Sequence, residues 1–358
     1  MEALREKIGQ MIMVGCRGER INPDEQVIFQ EYGFGGFILF RHNCVEPDQI
    51  LALCRALWDG AVNQPPFIAI DQEGGAVHRL PQAFTHFPAA ATLGARRDPG
   101  LAYRAGRACA AELALVGINL NFAPVLDVNS NPANPIIGAR AFSSDPHSVS
   151  DMALAWARGL REGGVIPCGK HFPGHGATDK DSHLALPVVE KPLAELEAVE
   201  LPPFADACRG GIEALMTAHV KFPALDPRQA ATLSEPIITG LLRHQLGYDG
   251  VVFSDDLEMK AISDHYGASE AAALALGAGV DVLLFCHDLA RAVEALEFLH
   301  AEAERSPALR ARVQAGHRRI TELKRRCLKS FSGAAENELA DRLTSLDHRS
   351  IAAIHGSL

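Results

Sequence analysis

Short apolar runs alternate along this chain with longer segments in which apolar residues recur at helical spacing. The runs number eight, and each holds five to seven residues. Continuous apolar runs of this length are typical of strands that are buried on both faces, as in a parallel sheet. The predicted strands cover residues 11–15, 36–40, 67–71, 118–124, 166–171, 214–218, 251–255 and 281–285.

Segments with helical periodicity follow most of these runs. One of them begins with Asp98 and Pro99, has a body rich in Ala and Leu, and ends at Gly117. Start and stop signals of this kind are typical of an α-helix. Helices are predicted near residues 23–31, 46–63, 98–115, 147–163, 192–210, 235–246, 262–278, 288–303 and 307–330.

Eight alternating strand–helix units predict an α/β fold, a single-domain (β/α)8 barrel of the TIM type. We expect the catalytic barrel to span residues 1–333, and residues 334–358 to form a C-terminal tail that is helical or disordered. A doubly wound open sheet is the alternative. It is disfavoured because no GxGxxG motif follows the first run.

Composition and charge argue against several classes of partner. The 34 basic and 44 acidic residues give a net charge of −10, whereas nucleic-acid binding requires a basic face. No apolar run approaches the roughly 20 residues that cross a bilayer, so no membrane partner is expected. The first residues do not have the basic-then-apolar pattern of a secretory signal, so a cytoplasmic location is expected. Eight single cysteines without a CxxC pair are expected to be small buried hydrophobes.

Polar and titratable residues gather at the carboxyl ends of five predicted strands. These residues are Asp71, Asp127, Lys170, His171, His219 and Asp255. Because barrel enzymes place their active sites at this end of the strands, we predict an active site here. Asp255 is expected to act as a nucleophile, base or metal ligand, and Asp256 to cap the following helix.

The stretch from Lys170 to His183 has the highest density of chemically active side chains. Pro173, Gly174 and Gly176 predict a loop with unusual backbone angles. The stretch contains three histidines, two aspartates and two lysines, a combination suited to proton transfer. A solvated surface loop is the alternative, but the position directly after a barrel strand favours the functional interpretation.

Four motifs resemble signatures of the glycoside hydrolase family 3 β-N-acetylhexosaminidases. The type that they resemble is the single-domain bacterial enzyme of peptidoglycan recycling. The longest is KHFPGHGATDKDSH over residues 170–183. The others are VVFSDDLEM over 251–259, DQEGG over 71–75 and IGARAF over 137–142. The resemblance runs in order over residues 4–330 and implies the same barrel fold.

The resemblance implies a retaining glycosidase that forms a covalent glycosyl-enzyme. Asp255 matches the nucleophile, His183 the general acid/base, and Asp181 the carboxylate that pairs with His183. A histidine pKa of about 6.5 lets the ring both donate and accept a proton near working pH. The residues that match the N-acetylglucosamine-binding set are Asp71, Arg79, Arg140, Lys170 and His171.

The resemblance also implies the substrate. Relatives of this type remove non-reducing terminal N-acetylglucosamine from N-acetylglucosaminyl-1,6-anhydro-N-acetylmuramic acid, with or without its peptide. We therefore expect a carbohydrate substrate, with no cofactor, no metal and no obligate protein partner. The β-glucosidases of the family take a glutamate acid/base from a second domain. This chain carries the Asp181–His183 loop and ends soon after the eighth barrel helix, which favours the hexosaminidases. Water is the expected acceptor of the glycosyl group, and phosphate is the alternative acceptor.

Two positions depart from the family pattern. Ala76 stands where relatives more often have arginine, and Arg41-His42-Asn43 replaces the usual Lys/Arg-Arg-Asn. Neither change affects a residue with a predicted chemical role, and the sequence leaves their effect on specificity open.

Three other classes of barrel protein are alternatives. The first is a metal-dependent hydrolase, which would have an HxH pair after the first strand; this chain lacks that pair. Its ligands would come from His171, His175, His183, His219 and Asp255. A non-catalytic sugar-binding barrel is expected to have lost Asp255 or the Asp181–His183 pair, which are present. A phosphate-binding barrel needs a glycine-rich site after strands seven and eight, whereas the Gly277-Ala278-Gly279 segment precedes strand eight.

Overall fold

Eight parallel strands close into a barrel in the computed structural model, which describes residues 3–182, 184–335, 337–345 and 348–354. Each strand pairs with its neighbour along the chain, and the last pairs with the first. The predicted (β/α)8 barrel is confirmed. The strands are β1 (Ile12–Gly15), β2 (Gly36–Leu39), β3 (Phe67–Ile70), β4 (Leu120–Asn121), β5 (Ile166–Phe172), β6 (Ala214–Thr217), β7 (Val251–Asp256) and β8 (Val282–Phe285).

The fourth strand is much shorter than predicted. Residues 118–124 were expected to be strand throughout, whereas only Leu120–Asn121 forms a regular ladder. Pro124 lacks an N–H to donate, which interrupts the ladder. The chain still follows β5 through single hydrogen bonds, since Cys168 and Lys170 donate to the carbonyls of Ala123 and Pro124. This irregular backbone leads into Asp127.

Helices separate the strands and cover the barrel. The α-helices are α1 (Leu4–Gly9), α2 (Pro23–Tyr32), α3 (Pro47–Asp59), α4 (Ala90–Gly94), α5 (Pro99–Leu115), α6 (Pro146–Glu162), α7 (Leu193–Glu195), α8 (Pro202–Arg209), α9 (Lys260–Ser263), α10 (Ala268–Ala278), α11 (Leu289–Arg305), α12 (Pro307–Cys327), α13 (Leu339–Ser345) and α14 (Arg349–Ala352). The segments Leu196–Glu200 and Pro236–Gln245 have π-helical hydrogen bonding.

Two predicted helices are interrupted, and two short ones were not predicted. The predicted helix 192–210 is broken before α8, where Pro202 cannot donate to the preceding turn. The predicted helix 262–278 consists of α9 and α10, and Gly267 caps the second of them. Helices α1 and α4 have only six and five residues, too few to show helical periodicity in the sequence.

The core lies inside the barrel and between the barrel and its helices. Phe253 on β7 packs edge to face against Phe67 and Phe122, with ring centroids 5.8 and 5.6 Å apart. All three rings are fully buried. They fill the space beneath the carboxyl ends of the strands, so the side chains above rest on a rigid floor.

The described part of the C-terminal segment is helical and packs on the barrel helices. Helix α13 contacts α3 and α5, and Leu339 is fully buried. The division of the chain at residue 333 stays a proposal. None of the helices in the described ranges has both the length and the apolar composition needed to span a bilayer. The eight cysteines are all free thiols, and six of them are buried.

Candidate active site

A cavity of about 500 Å³ opens at the carboxyl ends of the strands. Seven of the eight predicted site residues line it, whereas His183 lies outside the described residues. The seven are Asp71, Arg79, Arg140, Lys170, His171, Asp181 and Asp255. The topology accounts for their proximity, because the carboxyl ends of parallel strands meet on one face of a barrel.

Four charged side chains form one connected network on the β3–β5 side of the cavity. Lys170 is only 2% exposed, and its Nζ lies 2.6 Å from Oδ1 of Asp71 and 2.7 Å from Oε1 of Glu73. Arg140 donates from Nε and Nη2 to the two carboxylate oxygens of Glu73, both at 2.9 Å. The two cations and two carboxylates balance in charge, so they tolerate burial.

The network keeps Glu73 and Lys170 ionised. Burial favours the neutral form of Glu73, but the facing Arg140 and Lys170 outweigh it and place the pKa of Glu73 well below its usual range. Burial also works against the Lys170 cation, and Asp71 and Glu73 outweigh that effect and raise the pKa of Lys170. The cations keep further N–H groups beyond those bonded to Glu73 and Asp71, and these can donate to sugar hydroxyls.

His171 is oriented by a buried carboxylate. Asp127 is fully buried and accepts from the main-chain N of His171 at 3.1 Å and from its Nδ1 at 2.7 Å. Because a carboxylate partner accepts from Nδ1, the hydrogen of the ring lies on Nδ1. The ring lines the cavity, and Nε2 is its other polar atom. The same carboxylate accepts from the main-chain N of His175 at 2.7 Å.

Arg79 has a buried donor without a partner. Its main-chain N donates to Oε1 of Gln72 at 2.9 Å, which fixes the backbone of the loop after β3. Its Nε is buried and finds no hydrogen-bond partner among the described residues. Because buried donors are nearly always paired, this one fits a ligand oxygen in the cavity.

Two adjacent aspartates at the end of β7 have opposite pKa shifts. Burial disfavours the charged form of Asp255, but His219, His171 and the main-chain N–H of Asp256 outweigh it and lower the pKa of Asp255. Burial raises the pKa of Asp256 to about 7. Oδ1 of Asp256 accepts from the main-chain N of Glu258 at 3.1 Å and of Cys286 at 3.3 Å. Asp255 is thus an ionised carboxylate in the cavity wall, and Asp256 connects the ends of β7 and β8.

The loop after β5 brings Asp181 and Ser182 to the cavity. Both residues line it, and the carbonyl of Asp181 accepts from the main-chain N of Leu184 and Ala185. This loop therefore reaches the cavity that Asp255 lines from β7.

Three cavity or supporting residues were given no individual role in the sequence-based prediction, although Asp127 was among the residues that predicted the site. Glu73 and Asp127 follow predicted strands, but only their tertiary contacts show that they hold Lys170, Arg140 and His171. His287 belongs to none of the sequence motifs. Its side chain is 64% exposed, but it also lines the cavity mouth and stacks on Phe40 with ring centroids 5.4 Å apart.

The metal-site alternative gains no support from side-chain positions. Among the described residues, no group of three or more His, Cys, Asp or Glu side chains is arranged to hold an ion. The four candidate ligands within the described residues, His171, His175, His219 and Asp255, instead make hydrogen bonds within the protein. The ring of His219, for example, lies 2.8 Å from Oγ1 of Thr232 and 2.9 Å from the carbonyl of Asp256.

Comparison with known proteins gives consistent matches. The glycosyl hydrolase family 3 N-terminal domain matches residues 3–323 of this chain. A β-hexosaminidase from Alkalilimnicola ehrlichii is 40% identical over 283 residues, which cover 77% of this chain and 80% of the relative. A family 3 β-N-acetylglucosaminidase structure from Paenibacillus sp. has a TM-score of 0.89 and 41% identity, over 97% of this chain and 69% of that chain. NagZ from Neisseria gonorrhoeae, solved with N-trifluoroacetyl-D-glucosamine, has a TM-score of 0.74 and 32% identity, over 94% and 97% of the two chains.

The closed barrel and the charged cavity on its carboxyl face are features of a (β/α)8 glycoside hydrolase. The chain belongs to glycosyl hydrolase family 3 and is a β-N-acetylhexosaminidase of that family. The family and the enzyme class predicted from the sequence are confirmed, and the substrate is a carbohydrate.

Proposed function

We propose that this enzyme is a retaining exo-β-N-acetylglucosaminidase that acts on peptidoglycan fragments. It removes the non-reducing terminal N-acetylglucosamine from N-acetylglucosaminyl-1,6-anhydro-N-acetylmuramic acid, with or without the peptide, during cell-wall recycling in the cytoplasm. The observation that carries the proposal is the joint presence of Asp255, Asp181 and the Lys170 network in one cavity.

Asp255 acts as the nucleophile. Its lowered pKa keeps the carboxylate ionised at neutral pH, and its position at the end of β7 places it in the cavity wall. A carboxylate oxygen of Asp255 forms a bond to the anomeric carbon while the glycosidic bond breaks. The leaving oxygen takes a proton from His183.

The second step restores the enzyme. His183 takes a proton from water, the water oxygen bonds to the anomeric carbon, and the ester bond to Asp255 breaks. N-acetylglucosamine leaves with its β configuration retained. Asp181 pairs with His183 and stabilises the ring in its charged form. No cofactor takes part in this scheme.

The sugar ring binds to the charged side of the cavity. Lys170, Arg140 and Arg79 donate to its hydroxyl groups, and Asp71 accepts from them. His171 contributes its Nε2 atom. Ala76 lines the cavity where relatives more often carry arginine, so this chain has one cation fewer in the cavity wall. We expect this difference to affect the choice of substrate rather than the reaction.

The proposed function is tested by product release from a panel of substrates. The panel contains 4-nitrophenyl β-N-acetylglucosaminide, the corresponding β-glucoside and the disaccharide N-acetylglucosaminyl-1,6-anhydro-N-acetylmuramic acid. We expect turnover of the first and third but not the second, and loss of both activities in Asp255→Asn. Assays with added phosphate distinguish water from phosphate as the acceptor, since phosphorolysis would yield a sugar phosphate.

Two results would overturn parts of the proposal. Turnover of the nitrophenyl substrate without cleavage of the muramic disaccharide would remove the peptidoglycan assignment. Substantial residual activity in Asp255→Asn, with the protein folded, would assign the nucleophile elsewhere.

A further inference from the structure

His175 lies in the loop after β5 and is almost completely buried. Its two ring nitrogens each lie close to a hydroxyl group. Nδ1 is 2.9 Å from Oγ1 of Thr178, and Nε2 is 3.0 Å from Oγ of Ser182. The imidazole therefore joins the start of the loop to the residue between Asp181 and His183 in the sequence.

Hydrogen-bond accounting fixes which ring nitrogen carries the hydrogen. Burial and the neighbouring His171 lower the pKa of His175 to about 4, so the ring is neutral at neutral pH and has a single N–H. Oγ1 of Thr178 donates its one hydrogen to the carbonyl of His175 at 3.0 Å and accepts from Nδ2 of Asn134 at 3.1 Å. Its remaining lone pair accepts from the ring, so Nδ1 carries the hydrogen.

Nε2 of His175 is consequently an acceptor, and the hydroxyl of Ser182 donates to it. Ser182 is buried and lines the cavity. Its carbonyl accepts from the main-chain N of Ala261 at 3.3 Å, in α9 beyond the end of β7. Ser182 is therefore bonded on one side to the base of its own loop and on the other to the segment that follows Asp255.

We propose that His175 is a positioning residue: its Nε2 holds Ser182 and thereby sets the place of the Asp181–His183 pair relative to Asp255. The proposal rests on the proposed function, because it concerns delivery of the acid/base to the bond that Asp255 attacks. His175 acts through Ser182 in this account, and the hydroxyl of Ser182 has no chemical role of its own.

Two substitutions of His175 separate this role from packing. Asparagine places an amide N–H near the position of Nδ1, so His175→Asn keeps a donor for Thr178 and loses the acceptor for Ser182. Glutamine places an amide oxygen near the position of Nε2, so His175→Gln keeps the acceptor for Ser182 and loses the donor for Thr178. Ser182→Ala removes the other partner of the same hydrogen bond. His147→Ala, at an exposed position in α6, is the matched control.

The readout is kcat/KM on two substrates with different leaving groups, because kcat/KM reports the first step and excludes hydrolysis of the glycosyl-enzyme, in which His183 acts as a base. 4-Nitrophenol leaves without protonation, whereas the sugar hydroxyl released from N,N′-diacetylchitobiose requires a proton. Because a positioned general acid contributes about 10²–10⁴-fold, we expect His175→Asn and Ser182→Ala to lower kcat/KM on the disaccharide by about tenfold to a hundredfold. On the nitrophenyl substrate we expect a loss of about threefold or less, since that step needs no acid. His175→Gln and His147→Ala should keep the wild-type ratio of the two rates.

A double variant sharpens the test. His175→Asn combined with Ser182→Ala should lose no more on the disaccharide than either single variant, because both remove one hydrogen bond. Equal losses on both substrates for the asparagine and glutamine variants would reduce His175 to a packing role. A wild-type ratio in Ser182→Ala would also overturn the proposal.

One measurement is independent of turnover. Nitrogen NMR of histidine-labelled enzyme should show His175 protonated at Nδ1 and unprotonated at Nε2, with the Nε2 resonance shifted in Ser182→Ala. The opposite tautomer would overturn the proposal even if the wild type turned over neither substrate. Failure of the wild type on both substrates would overturn the proposed function instead.

Discussion

The two ends of the barrel both contain buried charges, but these charges are arranged differently. At the amino end, Asp281 precedes β8 and is only 1% exposed. Its Oδ2 accepts from Arg243 at 2.6 Å and from the main-chain N of Val252 at 2.9 Å, and its Oδ1 accepts from Arg319 at 3.1 Å. These bonds connect β7, β8, α12 and the Pro236–Gln245 segment.

At the carboxyl end, the charged groups surround a cavity. Asp255 and Lys170 both line it, and the buried Nε of Arg79 has no partner among the described residues. The amino-end charges pair with one another and connect helices to strands, although Nε of Arg243 is also buried without a partner among the described residues. The charges at the carboxyl end instead border a cavity that a ligand can enter. The difference follows the general division of a barrel into a stability face and an active-site face.

The largest effect on activity is expected from substitution of Asp255. Asp255→Asn keeps the size of the side chain and removes the nucleophilic charge, so kcat on 4-nitrophenyl β-N-acetylglucosaminide should fall about 10⁴-fold or more. The free energy of unfolding, from urea titration, should fall only modestly, because the lowered pKa of Asp255 means that the folded chain favours the ionised carboxylate. A loss of stability as large as the loss of activity would place Asp255 with the structural charges.

At the amino end, we expect a substitution to reduce stability and leave activity nearly unchanged. Asp281→Ala leaves Arg243 buried without its carboxylate, which should cost about 3–5 kcal/mol of unfolding free energy. The folded fraction should keep kcat within about twofold of wild type, because nothing at the cavity changes. A selective loss of kcat in folded protein would break the division between the two faces.

Asp256 predicts a pH dependence of stability. Its pKa is raised from the usual 3.8 to about 7 in the folded chain, so the folded state binds this proton more tightly. The stabilisation that this bound proton provides is complete below the unfolded pKa of 3.8 and is lost as the pH rises through the folded pKa of about 7. Asp256→Asn mimics the protonated carboxyl and cannot ionise. The variant should therefore gain stability relative to wild type between about pH 4 and pH 8, by about 2–4 kcal/mol. A constant difference across this range would contradict the raised pKa.

The smallest expected effect concerns the support of the sugar-binding cations. Glu73→Gln removes the carboxylate that accepts from both Arg140 and Lys170, so kcat/KM should fall about tenfold to a hundredfold. The matched control is Glu213→Gln, which weakens the pair with Arg161 at the amino end of the barrel. That control should leave kcat/KM unchanged. Equal effects of the two substitutions would show that Glu73 contributes only to folding.

Much of the fold was predictable because parallel barrel strands are buried on both faces. Their sequences are therefore continuous apolar runs, and all eight were located in this way. The breaks at Pro202 and Gly267 were not predicted, because the periodic apolar residues continue across both positions. The short helix α4 has no periodic signal to detect.

The site was predictable where side chains lie at the carboxyl ends of strands, as Asp71, Lys170 and Asp255 do. The contacts between side chains that are distant in the sequence were not predictable. Glu73 and Arg140 are 67 residues apart in the chain, and only the closed barrel brings them within 2.9 Å of each other. The hydrogen bond from Ser182 to His175 likewise depends on the loop conformation, which a run of glycines and polar residues does not specify.

Peptide mass spectrometry of enzyme quenched in acid during turnover shows whether Asp255 carries the sugar in a covalent intermediate. We expect one N-acetylglucosaminyl residue on the peptide that contains Asp255, absent in Asp255→Asn, with the product released as the β anomer. A label on another residue, or release of the α anomer without any labelled peptide, would contradict this expectation.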